Sequence, residues 1–345
     1  MAIYINGIGL ISPQETRDNK VFLEDVIGLE QSYFPIAEPP YKEYINPREL
    51  RRMSRIIRNG IVAAKIALAE TDIENPDAIL TGTGLGCATD TDKFLVSMIE
   101  NKETLLTPTA FIQSTHNTLG GSIAIGLKCH QYNMTYVHRG LSFETALLDA
   151  QLMMEAHEIE NALVGGFDEM TDNHIKLLQS TPMFAPGKAA TSGQAAGFFM
   201  LENKKNENTY AELLALETLY NPKDTILAVK TQMQKLIESY GLNEENTVIM
   251  MGYNGIQSEK KVYNQLHNEL FPDYIMTHFK HLCGEFYTAS AFALWLAAQM
   301  IKKQIIPKSL QYSTISTKAK GEIENVLIYN QFQEKEHSLI LLGRC

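Results

Sequence analysis

An α/β layered fold is the architecture this sequence predicts, on three observations. Strand-like apolar runs alternate with helix-like runs along the N-terminal part of the chain. One helix-like run, LSFETALLDAQLMMEAHE, is apolar on nearly every side, as a central buried helix is, and a later run is also apolar. The C-terminal part then repeats the same grammar, which suggests two similar α/β halves.

The elements follow in order. YINGIGLIS reads as the first strand and ends at Pro13. Residues from about Arg51 to Glu70 read as a helix, with Ile56, Ile57, Ile61, Ala64, Ile66 and Leu68 on its apolar faces. AILTGTGLGCATD is a buried strand running into a glycine-rich turn. It lacks the third glycine of GxGxxG, so a tight turn is expected rather than a nucleotide loop. Thr118 to Leu127 form a small-residue helix, and NMTYVHRG a strand ending at Gly140. LSFETALLDAQLMMEAHE reads as a central buried helix and NALVGGFDEM as the next strand. The polar break at Lys204–Thr209 reads as a junction, dividing the chain into residues 1–205 and 206–345. Beyond it, TVIMMGYNG is a strand into a turn, TASAFALWLAAQMIKK an apolar helix, and HSLILLGR a closing strand.

Composition narrows the function. The 345 residues are 45% hydrophobic and 20% charged, with a formal net charge of -10. That acidity argues against nucleic acid, which needs clustered Lys and Arg. No apolar run approaches the roughly 18 residues of a membrane span. The N-terminus has no basic segment before its apolar run, so a strand is expected there rather than an export signal. The four cysteines form no CxxC pair and the nine histidines no HxxxH pair, so no metal site and no redox motif are expected. Few cysteines fit a reducing cytoplasm. One basic run, PRELRRMSRIIRNG, stands out. On a helix Arg48, Arg52 and Arg55 share a face, which reads either as a solvated surface or as a dock for an acidic partner.

The order YINGIGLISP, MSRIIRNGIVAAKIALAE, TGTGLG, NALVGGFDE and AAGFFMLEN resembles the β-ketoacyl synthases, over nearly the whole chain. STHNTLGG followed by NMTYVHRG resembles a divergent branch found beside polyene-type and flexirubin-type pigment synthases. The resemblance implies a thiolase-like fold: two similar α/β halves in five layers, α-β-α-β-α, paired as a dimer. It implies no cofactor.

In that family a cysteine at the start of a buried helix takes the acyl chain as a thioester. Two histidines hold the malonyl thioester. Carried over by position, the nucleophile falls on Gly140 in VHRGLSFE, the first histidine on Asn254 in GYNG, and the second on Glu285 in KHLCGEF. The family's lysine is retained as Lys280. The glycine-rich strand end that gates the tunnel keeps only Phe332. Glycine has no side chain to acylate, and a carboxylate at 285 would repel a malonyl carboxylate.

The resemblance therefore implies a synthase without condensing activity of its own, similar to the chain length factors. Those pair with an active ketosynthase and shape its acyl tunnel. In aromatic polyketide systems they often carry Gln where this chain has Gly140. The implied partners are an active ketosynthase, or a second copy of this chain, and an acyl carrier protein docked on the Arg48, Arg52 and Arg55 face. The segment Thr107–Gly121 corresponds to one that reaches across the family's dimer interface, so Phe111 and Ile112 are expected to close the partner's tunnel. His116 lies in the same segment, as a proton donor or as a polar loop residue.

An alternative keeps the chemistry: an acyltransferase, or a condensing or malonyl-decarboxylating enzyme of the same fold, with an unrecognised nucleophile. Ser142 sits in half of a GxSxG elbow. Cys87 and Cys283 read as small buried hydrophobes. Arg139 is expected to pair with Glu144 or Asp168, because an unpaired buried guanidinium is costly.

Overall fold

The computed structural model describes residues 1–28, 33–104, 106–181, 190–310 and 321–345. Its strands are β1 (Tyr4–Ile11), β2 (Ala78–Gly82), β3 (Tyr132–Tyr136), β4 (Asn161–Asp168), β5 (Ala195–Glu202), β6 (Ala211–Tyr220), β7 (Thr247–Met251), β8 (Ile275–His278), β9 (Asn325–Phe332) and β10 (Glu336–Gly343). Its helices are α1 (Pro47–Leu50), α2 (Arg55–Leu68), α3 (Ala88–Glu100), α4 (Pro108–Gln113), α5 (Thr118–Leu127), α6 (Ser142–Glu155), α7 (Asp172–Gln179), α8 (Thr225–Tyr240), α9 (Gln257–Leu270), α10 (Lys280–Cys283) and α11 (Ala289–Lys303).

The strand order is β3-β2-β4-β5-β1-β6-β10-β9-β7-β8. Two five-strand arrays of one design meet where β1 and β6 pair through Tyr4–Glu212 and Ile5–Ala211. In the first array β5 runs antiparallel to β1 and β4, while β2 runs parallel to β4 and β3. In the second, β10 runs antiparallel to β6 and β9, while β7 runs parallel to β9 and β8. The pseudo-repeat expected from the sequence is thus a repeat of topology.

Three apolar clusters define the layers. Ile57, Ile61 and Val62 of α2 and Leu119 and Ile123 of α5 pack on Ile79, Leu163, Phe198 and Met200, on the outer face of the first array. Val229 and Met233 of α8 and Tyr263 and Leu266 of α9 pack on Ile249, Leu327 and Leu341, on the outer face of the second. Between the arrays lie α6 and α11, packed on Leu80, Val164 and Phe199 from one side and on Val248, Ile328 and Ile340 from the other. Neighbouring strand residues such as Ile79 and Leu80 therefore serve different layers, as pleating requires. The architecture is α-β-α-β-α, the thiolase-like fold.

Several expectations change in detail. The helix expected from Arg51 starts at Arg55, and residues 51–54 form a turn after α1. Arg48, Arg52 and Arg55 therefore do not share one helical face. The helix apolar on all sides is α11, where every residue from Ala289 to Ile301 is buried. In α6, Leu152 is 55% exposed. NMTYVHRG ends as a strand at Tyr136, and Arg139–Leu141 form a 3-10 turn. The connection before AAGFFMLEN carries α7, and its residues 182–189 lie outside the described residues.

Candidate functional site

The strand ends of both arrays and the starts of α6, α10 and α11 converge at the middle of the molecule. Asp168, at the end of β4, ties this region together. Its Oδ1 accepts from Thr83 Oγ1 at 3.0 Å and from the N–H groups of Gly84 and Leu85 at 2.9 Å. Its Oδ2 accepts from Thr288 N at 3.0 Å and Thr288 Oγ1 at 2.9 Å. Burial pushes this carboxyl up to about 6, while its five donors favour the ionised form. One side chain thereby fixes the turn after β2 to the start of α11.

Asn254, Lys280 and Glu285 come together. Lys280 Nζ lies 2.9 Å from Glu285 Oε2, with neither side chain exposed, and donates to Gln331 O at 3.0 Å. Asn254 Nδ2 donates to the same Glu285 oxygen at 2.6 Å. Glu285 Oε1 has no hydrogen-bond partner among the described residues. Glu259, on α9, is a member that the sequence reading missed. Burial first, and Glu285 second, push its carboxyl up to about 8, so it is neutral at pH 7. A single lysine thus serves two buried carboxyls, one of which keeps its proton. The cluster lies beside a cleft of about 460 Å³, lined in part by Tyr253, His278, His281 and Leu310. Burial pushes His278 down to about 3, with His281 and His267 adding to the effect, and it also pushes His281 down. Both imidazoles are therefore neutral at pH 7 and leave the cleft wall without cationic histidine.

Gly140 lies in the 3-10 turn that leads into α6. A Cβ there would lie 2.5 Å from Phe332 Cβ and 2.8 Å from Glu336 Oε2. The Gly140 N–H donates to Glu336 Oε2 at 2.9 Å. Phe332 in turn contacts Tyr287, with ring centroids 4.6 Å apart, and the Tyr287 ring occupies the space that a Cβ on Gly84 would need. Two aromatic rings therefore fill the slot between Gly84 and Gly140.

The alternative nucleophiles are engaged or suppressed. Ser142 Oγ accepts from His138 N at 2.9 Å and faces Thr83 O at 3.0 Å and Arg139 O at 2.7 Å, all backbone groups. Burial pushes the thiols of Cys87 and Cys283 up, away from thiolate. The pairing expected for Arg139 is not found: Arg139 is exposed. Glu144 instead accepts from Ser338 Oγ at 2.7 Å, and burial pushes its carboxyl up.

The remaining expected residues lie on the periphery. Phe111 and Ile112 of α4 are 57% and 61% exposed, with the Phe111 ring 5.6 Å from that of Phe94 on α3. His116 packs its ring over Gly86. Arg48 and Arg52 are exposed, whereas Arg55 is half-buried and reaches Gln194 Oε1 at 3.5 Å. Among the described residues no group of His, Cys, Asp and Glu is placed to hold a metal ion, and no helix is long and apolar enough to cross a membrane.

Among solved structures, the chain is similar to the complex AntDE:AntF, a type II PKS acyl-carrier protein with its ketosynthase bound to the hexaketide. It is 15% identical there over 100% of this chain and 99% of that one, with a TM-score of 0.79. It is 16% identical to the ishigamide ketosynthase/chain length factor, over 100% and 99%, with a TM-score of 0.79. It is also 16% identical to the ketosynthase ApeO in complex with its chain length factor ApeC from Xenorhabdus doucetiae, over 100% and 98%, with a TM-score of 0.75. At this identity the likeness is one of fold. A search of curated proteins finds no significant match. The family described as "Beta-ketoacyl synthase, N-terminal domain" matches residues 31–213, more than half of the sequence, with its boundaries running from the segment before α1 into β6. On that match, and with the fold that goes with it, the chain belongs to the β-ketoacyl synthase family.

Proposed function

We propose that this chain is a non-condensing member of its family that works, like a chain length factor, as the partner of an active ketosynthase in fatty acid or polyketide-type biosynthesis, with a polyene-type product. The observation that carries the reading is Gly140. It stands where the family's nucleophile is expected, it has no side chain, and Phe332 and Glu336 occupy the space a side chain would need. Asn254 and Glu285, at the expected histidine positions, are engaged with Lys280 in a polar cluster on the cleft wall. That arrangement suits a structural role better than the binding of a malonyl carboxylate.

The surface supports a partner. β3 is the outermost strand of the first array, and Tyr132 and Met134 on it are exposed. An open, partly apolar edge favours pairing with the equivalent strand of a second subunit. The exposed Phe111 and Ile112 would reach the partner's acyl tunnel. Arg48 and Arg52 would meet an acidic acyl carrier protein, a role from which the half-buried Arg55 is withdrawn.

Native mass spectrometry of the chain co-expressed with a ketosynthase, after addition of starter and malonyl carrier, tests the reading. A one-to-one pair with acyl groups on the other subunit alone is expected. An acyl adduct on this chain would overturn the reading, and the mapped adduct would identify the nucleophile.

A further inference from the structure

We propose that the chain occupies its own former acyl pocket: the Glu336 carboxylate takes the Gly140 N–H at the vacated nucleophile position, and the Phe332 ring fills the space behind it. This rests on the reading of Gly140 as the vacated nucleophile position, and adds what keeps acyl ligands out.

The geometry comes from one hairpin. Phe332 and Glu336 face each other as the last pair of β9 and β10 before the turn. Gln333 and Glu334 in that turn both hold left-handed backbone, with φ of 54° and 57°, which favours glycine. Gln331 Oε1 accepts from Glu334 N at 2.8 Å and holds the turn in that shape. The hairpin end is therefore held by a side chain of β9 itself, and it delivers both side chains to one place.

Their two contacts are complementary. Gly140 precedes α6, where N–H groups lack helical partners and the helix dipole favours an anion. Glu336 Oε2 takes that N–H at 2.9 Å, and the residue is buried. Burial pushes its carboxyl up, while the Gly140 N–H, Arg139 and Lys335 favour its charge. Phe332 completes the closure by packing on Tyr287. An acyl thioester entering here would have to displace a hydrogen-bonded carboxylate and an aromatic ring together.

The test uses the full-length protein and a dodecanoyl N-acetylcysteamine thioester as the probe, with binding read by native mass spectrometry and titration calorimetry. The wild type and E336Q, whose amide oxygen can still accept from Gly140, should bind weakly. The double variant F332A/E336A should bind at least about ten-fold tighter, and E336A alone should gain part of that. The proposal is overturned if the double variant, folded by circular dichroism, binds no tighter than the wild type. If it does not fold, E336A alone decides in the same way. Pairing with the ketosynthase is read in parallel: unchanged pairing without a binding gain removes the plug and keeps the subunit reading, and a binding gain without pairing does the reverse.

Discussion

Lys280 and Glu285 form an ion pair from which solvent is excluded on both sides, with Nζ and Oε2 2.9 Å apart. Removing one partner of such a pair strands a buried charge, at a cost of about 3–5 kcal/mol. K280M and E285L are each expected to lower stability by roughly that amount. Replacing both strands neither charge, so K280M/E285L should cost much less than the sum. Urea unfolding of the four proteins gives the coupling directly, and additive costs would contradict a paired site.

Glu259 makes stability depend on pH. Its carboxyl is held at about 8 in the folded chain, above its ordinary value of 4.5. The folded state therefore binds more protons than the unfolded state between those values. The resulting stabilisation is complete below about 4.5 and is lost as pH rises through about 8. E259Q keeps a neutral side chain at every pH. The stability difference between E259Q and the wild type should therefore grow in favour of the variant from pH 5 to pH 8 and then level off. Thermal unfolding across that range measures it, and a constant difference would mean that Glu259 titrates normally.

Asp168 should be the more sensitive brace. D168A leaves the N–H groups of Gly84, Leu85 and Thr288 without their acceptor in the interior. Each such loss costs about 1–3 kcal/mol, so the variant is expected to unfold at much lower denaturant concentration. D168N keeps one oxygen and the volume, and should fall between. Equal stability of the three proteins in guanidinium would show that these bonds are replaced by water.

Much of the fold was legible because burial patterns are local. β1, β5, β7 and β10, together with α5 and α11, carry their apolar pattern within a few residues. The exposed side of α6 was hidden, because Leu152 faces outward from an otherwise apolar run. The arginine run misled for a different reason: α1 ends at Leu50 and α2 starts after its N-cap Ser54, so residues 51–54 interrupt the helical spacing the arginines were read on. At the site, Gly140, Asn254, Lys280 and Glu285 were reached through the resemblance. Glu259, Tyr287 and Glu336 were not, because their roles depend on contacts with residues distant in sequence that no local pattern records.

Phe111 offers a test at the level of product. It is more than half exposed, yet its ring is held by Phe94, 5.6 Å away on α3. A large apolar side chain fixed at the surface is suited to burial in a partner, which is worth about 1.5–3 kcal/mol for one such residue. If it forms the floor of the ketosynthase tunnel, F111A shortens that floor and the pair should release longer chains, with less of the native product. F94A should shift the distribution the same way but less, since the Phe111 ring remains and only its support is lost. Mass spectrometry of the products from the co-expressed pair reads both. Native mass spectrometry of the same preparations separates a change in chain length from a loss of pairing, which would lower all products without changing their distribution. An unchanged distribution from an intact F111A pair would place the tunnel floor elsewhere.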